Sequence, residues 1–124
     1  MSGNNYYLLD TNIVLHLLNG DKVLAGIIGN KTPYISFITE MELLSFSKLS
    51  TAEETKVKAF LNECFIVEMN QSIKLTAVKI KRAHGLKLPD SIIAATSEHL
   101  NTPLLTADTD FNKLKSLQIL QYKK

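Results

Sequence analysis

The chain of 124 residues contains few of the residues that stabilise small folds by special means: one cysteine, no tryptophan, three prolines and five glycines. A single cysteine excludes a disulfide within the chain. Cys64 precedes the apolar residues 65–67, so we expect a buried thiol in a reducing compartment. At this length we predict a single domain over residues 1–124, with a core large enough to fold without disulfides or a structural metal.

Long hydrophobic runs and a strong excess of one charge are also missing. No apolar segment approaches the ~20 residues that a membrane-spanning helix needs. Residues 1–7 lack the charged and apolar blocks of a secretion signal. The formal net charge of +2 permits a nucleic-acid partner but does not argue for one. We therefore predict a cytoplasmic protein that does not associate with membranes.

Short apolar runs alternate along the chain with segments of helical periodicity. The runs predict strands over residues 6–9, 33–36, 65–67, 103–106 and an edge strand within 117–122. The intervening patterns predict helices over residues 11–18, 22–28 and 38–47, from 51 to about 64, from a cap at 70 to 84, and from 89 onward, with a short helix beginning near 108. Such alternation predicts an α/β fold of three layers, α/β/α, with a mostly parallel sheet of four to five strands.

Four acidic residues fall where this pattern places strand ends or helices that follow them: Asp10, Glu42, Asp90 and Asp108. In a parallel sheet those positions share one edge, where ligands bind. A cluster of carboxylates repels itself unless a cation lies within it, and Mg²⁺ and Mn²⁺ favour such oxygen ligands. One or two ions there would activate a water and stabilise the charge that develops on a phosphodiester. The pattern therefore favours a metal-dependent hydrolase.

Each acid also has a local explanation. Asp10 and Asp108 can cap the helices that follow them, and Asp90 after Pro89 suits the first turn of a helix. Glu42 lies within a helix, where no cap is needed, and periodicity does not choose between it and Glu40.

Four segments, in order, resemble the motifs of the PIN domain family. They are Leu8–Asn12, Ile38–Leu43, Leu88–Thr96 and Leu104–Phe111. The resemblance extends over roughly residues 6–122, and the order and spacing make it more specific than any one motif. In the second motif the functional acid of the family precedes a leucine, which favours Glu42 over Glu40.

As a short chain the sequence looks most like the VapC-type toxins of toxin–antitoxin pairs. The resemblance implies a Mg²⁺- or Mn²⁺-dependent endoribonuclease that forms a homodimer and is inhibited by a cognate antitoxin. It also implies that the metal ligands are Asp10, Glu42, Asp90 and Asp108. Asn12 and Thr106 would tune the site through hydrogen bonds, and Asp110 would be an auxiliary acid.

A run of basic residues precedes Asp90: Lys79, Lys81, Arg82, His84 and Lys87. It would either hold RNA phosphates or form an ordinary solvated helix face.

Other functions fit less well. A haloacid-dehalogenase-like phosphotransferase needs an acid two residues after the first aspartate, where this chain has Asn12. A receiver domain needs paired acids near its N-terminus. A housekeeping RNA-processing nuclease and a non-catalytic nucleic-acid-binding module of the same fold remain as alternatives.

Overall fold

Five parallel strands form one sheet in the computed structural model, which describes residues 6–123. In chain order they are β1 (Tyr6–Leu9), β2 (Thr32–Ser36), β3 (Phe65–Val67), β4 (Leu104–Thr106) and β5 (Ile119–Gln121). Their order across the sheet is β3-β2-β1-β4-β5, and every neighbouring pair is parallel. The predicted α/β class is confirmed, and the sheet has five strands, the larger of the two predicted numbers. Most of the segment searched for a secretion signal, residues 1–5, lies outside the described residues.

Six α-helices connect the strands: α1 (Thr11–Leu18), α2 (Lys22–Ile28), α3 (Phe37–Leu44), α4 (Thr51–Glu63), α5 (Gln71–His84) and α6 (Leu88–Leu100). A 3₁₀ helix, Thr109–Lys113, follows β4. The predicted capping box opens α4, since Ser50 and Glu53 bond reciprocally to each other's backbone N–H. Among the described residues, no helix combines the length and the apolar composition needed to cross a membrane.

Helix α3 ends three residues earlier than the prediction of 38–47. The Ser45 hydroxyl donates a hydrogen bond to the Met41 carbonyl oxygen at 2.5 Å. The Ser45 N–H donates to the backbone carbonyl oxygen of Glu42 rather than to that of Met41. A serine that bonds the preceding turn in this way competes with the helical hydrogen bonds. The helix is therefore short, and Glu42 lies in its last turn.

The two faces of the sheet bury separate hydrophobic clusters, as alternating side chains of a strand require. Leu8 packs on one face with residues of α5 and α6, including Ile80 and Ile93. Leu9 points to the other face and packs with residues of α1, α2 and α4, such as Leu24 and Val57. The three-layer arrangement follows, with helices on both faces.

Helices α5 and α6 form an antiparallel hairpin on the first of these faces. Asn70, which caps the start of α5, contacts His99 near the end of α6 at 3.2 Å. Gly85 ends α5 in the left-handed conformation with φ of 69° and donates its N–H to the Lys81 carbonyl oxygen. This turn sets where α6 begins and so where Asp90 lies.

We predict that Gly85→Ala lowers the free energy of unfolding by about 1–2 kcal/mol, because a β-carbon disfavours positive φ. A β-carbon at Gly85 would have nothing within 4 Å, so conformation alone causes the loss. The control is Gly26→Ala in α2, where the space is equally open and φ is not positive. That change should raise stability by up to about 1 kcal/mol. Urea denaturation of both variants tests the pair, and shifts of the same sign would contradict this account.

Candidate active site

The topology brings the four predicted acids to the carboxyl edge of the sheet. Asp10 directly follows β1, and Asp108 follows the neighbouring strand β4 by two residues. Glu42 lies on α3, which begins immediately after β2 because the Ser36 side chain accepts a hydrogen bond from the Ile38 N–H. Asp90 lies in the first turn of α6. Residues 98 positions apart in sequence, Asp10 and Asp108, thus follow adjacent strands.

Asp10 is the most enclosed of these carboxylates, with 4% of its surface exposed. Its Oδ1 accepts a hydrogen bond from the Thr11 N–H at 2.8 Å, which is the predicted cap of α1. Its Oδ2 accepts from the Thr106 hydroxyl at 2.6 Å and from the Asn12 side-chain amide at 3.1 Å. The Asn12 carbonyl oxygen in turn accepts from the Ala107 N–H at 3.2 Å. Neutral donors therefore fix the orientation of this carboxylate.

Thr106 connects Asp10 to the segment that carries Asp108. Its hydroxyl oxygen accepts a hydrogen bond from the Asp108 N–H at 2.9 Å while its proton goes to Asp10. Asp108 Oδ1 accepts from the Asp110 N–H at 2.9 Å and caps the 3₁₀ helix. Asp110 itself is exposed. The capping interpretations of Asp10 and Asp108 are thus correct, and both side chains lie at the sheet edge as well.

Two threonines that the sequence analysis missed hold Glu42. The Thr11 hydroxyl donates to Glu42 Oε1 at 2.6 Å, and the Thr39 hydroxyl lies 3.0 Å from the Thr11 hydroxyl. Since an ionised carboxylate only accepts and each hydroxyl has one proton, Thr39 donates to Thr11 and Thr11 donates to Glu42. Thr39 is completely buried. The sequence signal that could have identified Thr39 is its position one turn before Glu42, on an otherwise apolar helix face.

The four carboxylates act on one another electrostatically. Burial raises the pKa of Asp10, and the charges of Asp108 and Glu42 add to that effect against the hydrogen bonds from Thr106 and Thr11. Burial also raises the pKa of Asp90 to about 6, reinforced by the charges of Asp10, Asp108 and Glu42. The Glu42 charge contributes to both shifts, so Glu42 lies near Asp10 and Asp90.

This set of donors fits a hard divalent cation by its chemistry, because it consists of carboxylate oxygens. The side chains do not already converge: within residues 6–123, no three His, Cys, Asp or Glu side chains are grouped around a common metal position. The donor atoms therefore suit a cation by their chemistry, while the positions of the described side chains do not outline a metal site.

Two other features of the structure, a cavity and the single cysteine, do not indicate a different functional site. A cavity of about 440 Å³ lies at the amino end of β2, lined by residues that include Lys31, Thr32 and Glu63, and none of the four acids lines it. Cys64 is half-buried, whereas the sequence predicted a buried thiol. Burial raises the pKa of this thiol to about 12, so the thiol stays protonated at neutral pH.

Comparisons with known proteins show a family and a fold. Residues 7–117 match the family described as PIN domain. A toxin–antitoxin complex from Klebsiella pneumoniae is 28% identical, with a TM-score of 0.81, and the match covers 95% of this chain and 99% of that one. VapBC-1 from nontypeable Haemophilus influenzae is 24% identical, with a TM-score of 0.81 and coverage of 96% and 99%. A comparison with curated proteins gives no match.

We predict that Asp90→Asn stabilises the metal-free protein at pH 7. An acid whose pKa rises from 3.8 to about 6 on folding disfavours the folded state increasingly as pH rises through that window. Removing the charge should raise the free energy of unfolding by about 1–2 kcal/mol at pH 7, after allowance for solvent screening of this half-exposed group. At pH 3, where the carboxyl is protonated in both states, the change should be small.

Urea denaturation in EDTA at both pH values measures this effect. The control is Glu68→Gln, which removes an exposed acid from the loop after β3. If Asp90→Asn were no more stable than the original chain at pH 7, the charge of Asp90, half-buried among other acids, would not destabilise the folded state.

Proposed function

The chain belongs to the PIN domain family, and we propose on this premise that it is a Mg²⁺- or Mn²⁺-dependent endoribonuclease. We propose further that it is the toxin of a toxin–antitoxin pair and acts in the cytoplasm. The observation that carries the proposal is the set of four carboxylates at one sheet edge, where burial, reinforced by the charges of the neighbouring acids, raises the pKa values of Asp10 and Asp90. Such an arrangement disfavours folding at neutral pH, which is understandable if the site exists to bind a cation.

In this proposal the metal ligands are Asp10, Glu42, Asp90 and Asp108. A bound divalent ion would supply a Lewis acid that lowers the pKa of a water and neutralises charge on the phosphodiester. The chain's own contribution is to orient the ligands before the substrate arrives. Asp10 is held by three donors, and Glu42 is held through Oε1 by Thr11, which leaves Oε2 available.

The hydrogen bonds around Asp10 would hold β1 and β4 in a fixed position relative to each other. Thr106 contacts both Asp10 and the Asp108 backbone, and Asn12 joins Asp10 to Ala107. A movement of β4 relative to β1 would break these bonds together. We therefore assign Asn12 and Thr106 the role of fixing the distance between Asp10 and Asp108. Asp110, which is exposed, would assist through its backbone N–H to Asp108.

The proposed antitoxin partner is supported by the similar structures, which include toxin–antitoxin proteins. In this proposal the toxin is a homodimer and the antitoxin covers the acidic site. Expression of the chain should arrest growth, and co-expression of the small protein encoded beside it should relieve the arrest. Absence of arrest together with RNA cleavage in vitro would favour a housekeeping nuclease.

We predict that Asp10→Asn reduces RNA cleavage by at least about 100-fold, since it removes a charge from the most enclosed proposed ligand while keeping its shape. The purified chain should cut single-stranded or structured RNA with Mg²⁺ or Mn²⁺, and EDTA should stop it. The control is Glu54→Gln, an exposed acid on α4 in a weak ion pair with Lys58. Cleavage by Asp10→Asn at the original rate would show that the proposed site is wrong.

We also predict that Thr11→Val weakens Mn²⁺ binding by about 10-fold or more, because Glu42 loses its donor. Thr11→Ser keeps the hydroxyl and should restore binding close to the original. Isothermal titration calorimetry with Mn²⁺ measures both, without substrate. Thr55→Val is the matched control, since the Thr55 hydroxyl bonds only the Thr51 carbonyl on α4. Unchanged affinity in Thr11→Val would exclude the positioning role.

A further inference from the structure

The basic run, defined as Lys79, Lys81, Arg82, His84 and Lys87, lies at the turn of the α5–α6 hairpin. We propose that it binds the backbone phosphates of single-stranded RNA on either side of the bond to be cut, so that the strand lies along the end of α5 beside the acidic site. This inference rests on the proposed function, because it concerns the substrate of that same site.

Charge is strongly segregated in this part of the chain. No acidic residue occurs between Glu68 and Asp90, although the interval contains five lysines and arginines, the four of the basic run and Lys74. The net charge of the whole chain is only +2. Although the net charge is small, the chain therefore contains an acid-free helix, α5, next to a cluster of acids.

Within the described residues, no cation of the basic run forms an ion pair with an acid. In residues 6–123 the one ion pair is Lys58–Glu54, on α4. All five members of the run are exposed. Lys81 donates a hydrogen bond to the Leu86 carbonyl oxygen at 3.2 Å, which holds its charge at the turn of the hairpin. Exposed cations without an acidic ion-pair partner are what a polyanion requires, since each contact releases a condensed counterion.

The hairpin brings this charge to the site. Because α5 and α6 are antiparallel, the C-terminal end of α5 lies at the same end of the layer as the first turn of α6, which carries Asp90. Lys87 lies close enough to Asp90 for its positive charge to oppose the rise in the Asp90 pKa that burial and the other acids cause. The run and the acids are therefore adjacent surfaces of opposite sign.

The preference of helix C-termini for cations explains only part of the run. It accounts for Lys81, Arg82 and His84 in the last turn of α5. It does not account for Lys87, which precedes α6, or for the lack of acids along the whole of α5. An acidic cluster alone repels a phosphodiester, and flanking cations offset that repulsion for the phosphates that do not contact the metal.

The test is the salt dependence of RNA binding, measured by fluorescence anisotropy in EDTA so that no cleavage occurs. For single strands the slope of log K against log salt is about −0.7 per phosphate neutralised. The triple variant Lys79→Gln, Arg82→Gln, Lys87→Gln should make that slope shallower by about 2 and lower the affinity, with an unchanged thermal unfolding curve. Lys81 is left intact because of its bond to Leu86.

The matched control removes the same charge elsewhere, by Lys22→Gln, Lys48→Gln and Lys56→Gln. These exposed lysines lie on α2, in the loop after α3 and on α4, away from the hairpin. The control triple should leave the slope nearly unchanged. If the first triple variant is less stable, the single variant Lys79→Gln should still make the slope shallower by about 0.7.

The outcomes separate this inference from the function on which it rests. Equal slopes in the two triple variants, with cleavage retained by the original chain, would overturn the RNA path and leave the nuclease intact. If the first triple variant lost affinity for polyglutamate but kept its affinity for RNA, the run would be a surface for an acidic protein segment and the inference would be wrong. If the original chain neither bound nor cut RNA, both proposals would be overturned.

Discussion

Strand β1 is hydrogen-bonded on both sides, to β2 and to β4, and the two leucines at its end are fully buried on opposite faces of the sheet. The paired backbone leaves no freedom in register, because a shift by one residue would exchange Leu8 and Leu9 between the two cores. The register also fixes the residue that follows. The Asp10 N–H donates to the Leu105 carbonyl oxygen at 3.0 Å, so the carboxylate is held at the end of the ladder. The helices and the remaining acids are arranged around that position.

The acidic site is built from neutral groups rather than from cations. Hydroxyls of Thr11 and Thr106, the amide of Asn12 and backbone N–H groups satisfy the carboxylate oxygens without reducing their charge. A lysine or arginine in the same place would have relieved the repulsion and also competed with a metal ion. These hydrogen bonds therefore hold the carboxylates in place without reducing the repulsion between them. The positive charge of the region lies outside the site, at the end of α5.

The sequence predicted most of the fold because the signals were local. The observed bounds of β1, β3 and α1 are the predicted ones, and the caps at Ser50 and Asn70 were evident from residues within three positions. The end of α3 was wrong because a side-chain hydrogen bond to the preceding turn leaves no periodic signal. The Thr11–Glu42 contact joins residues 31 apart in sequence, so no local pattern reports it. The ligand role of the four acids stays a prediction, since their caps and their closeness are compatible with other uses.

The hydrogen bond between Thr106 and Asp10 spans 96 residues, and it is made by the fourth strand in chain order. Until β4 has been made, β1 is paired only with β2. Asp10 then lacks its shortest hydrogen bond, from Thr106, and also lacks its neighbour Asp108, which follows β4 in the sequence. Contacts of such long sequence separation form late, because the loop they close must be ordered first. A chain still being synthesised therefore carries the first three strands without a complete acidic site. The order of elements delays the appearance of the site until almost the whole of the described chain has been made and has folded.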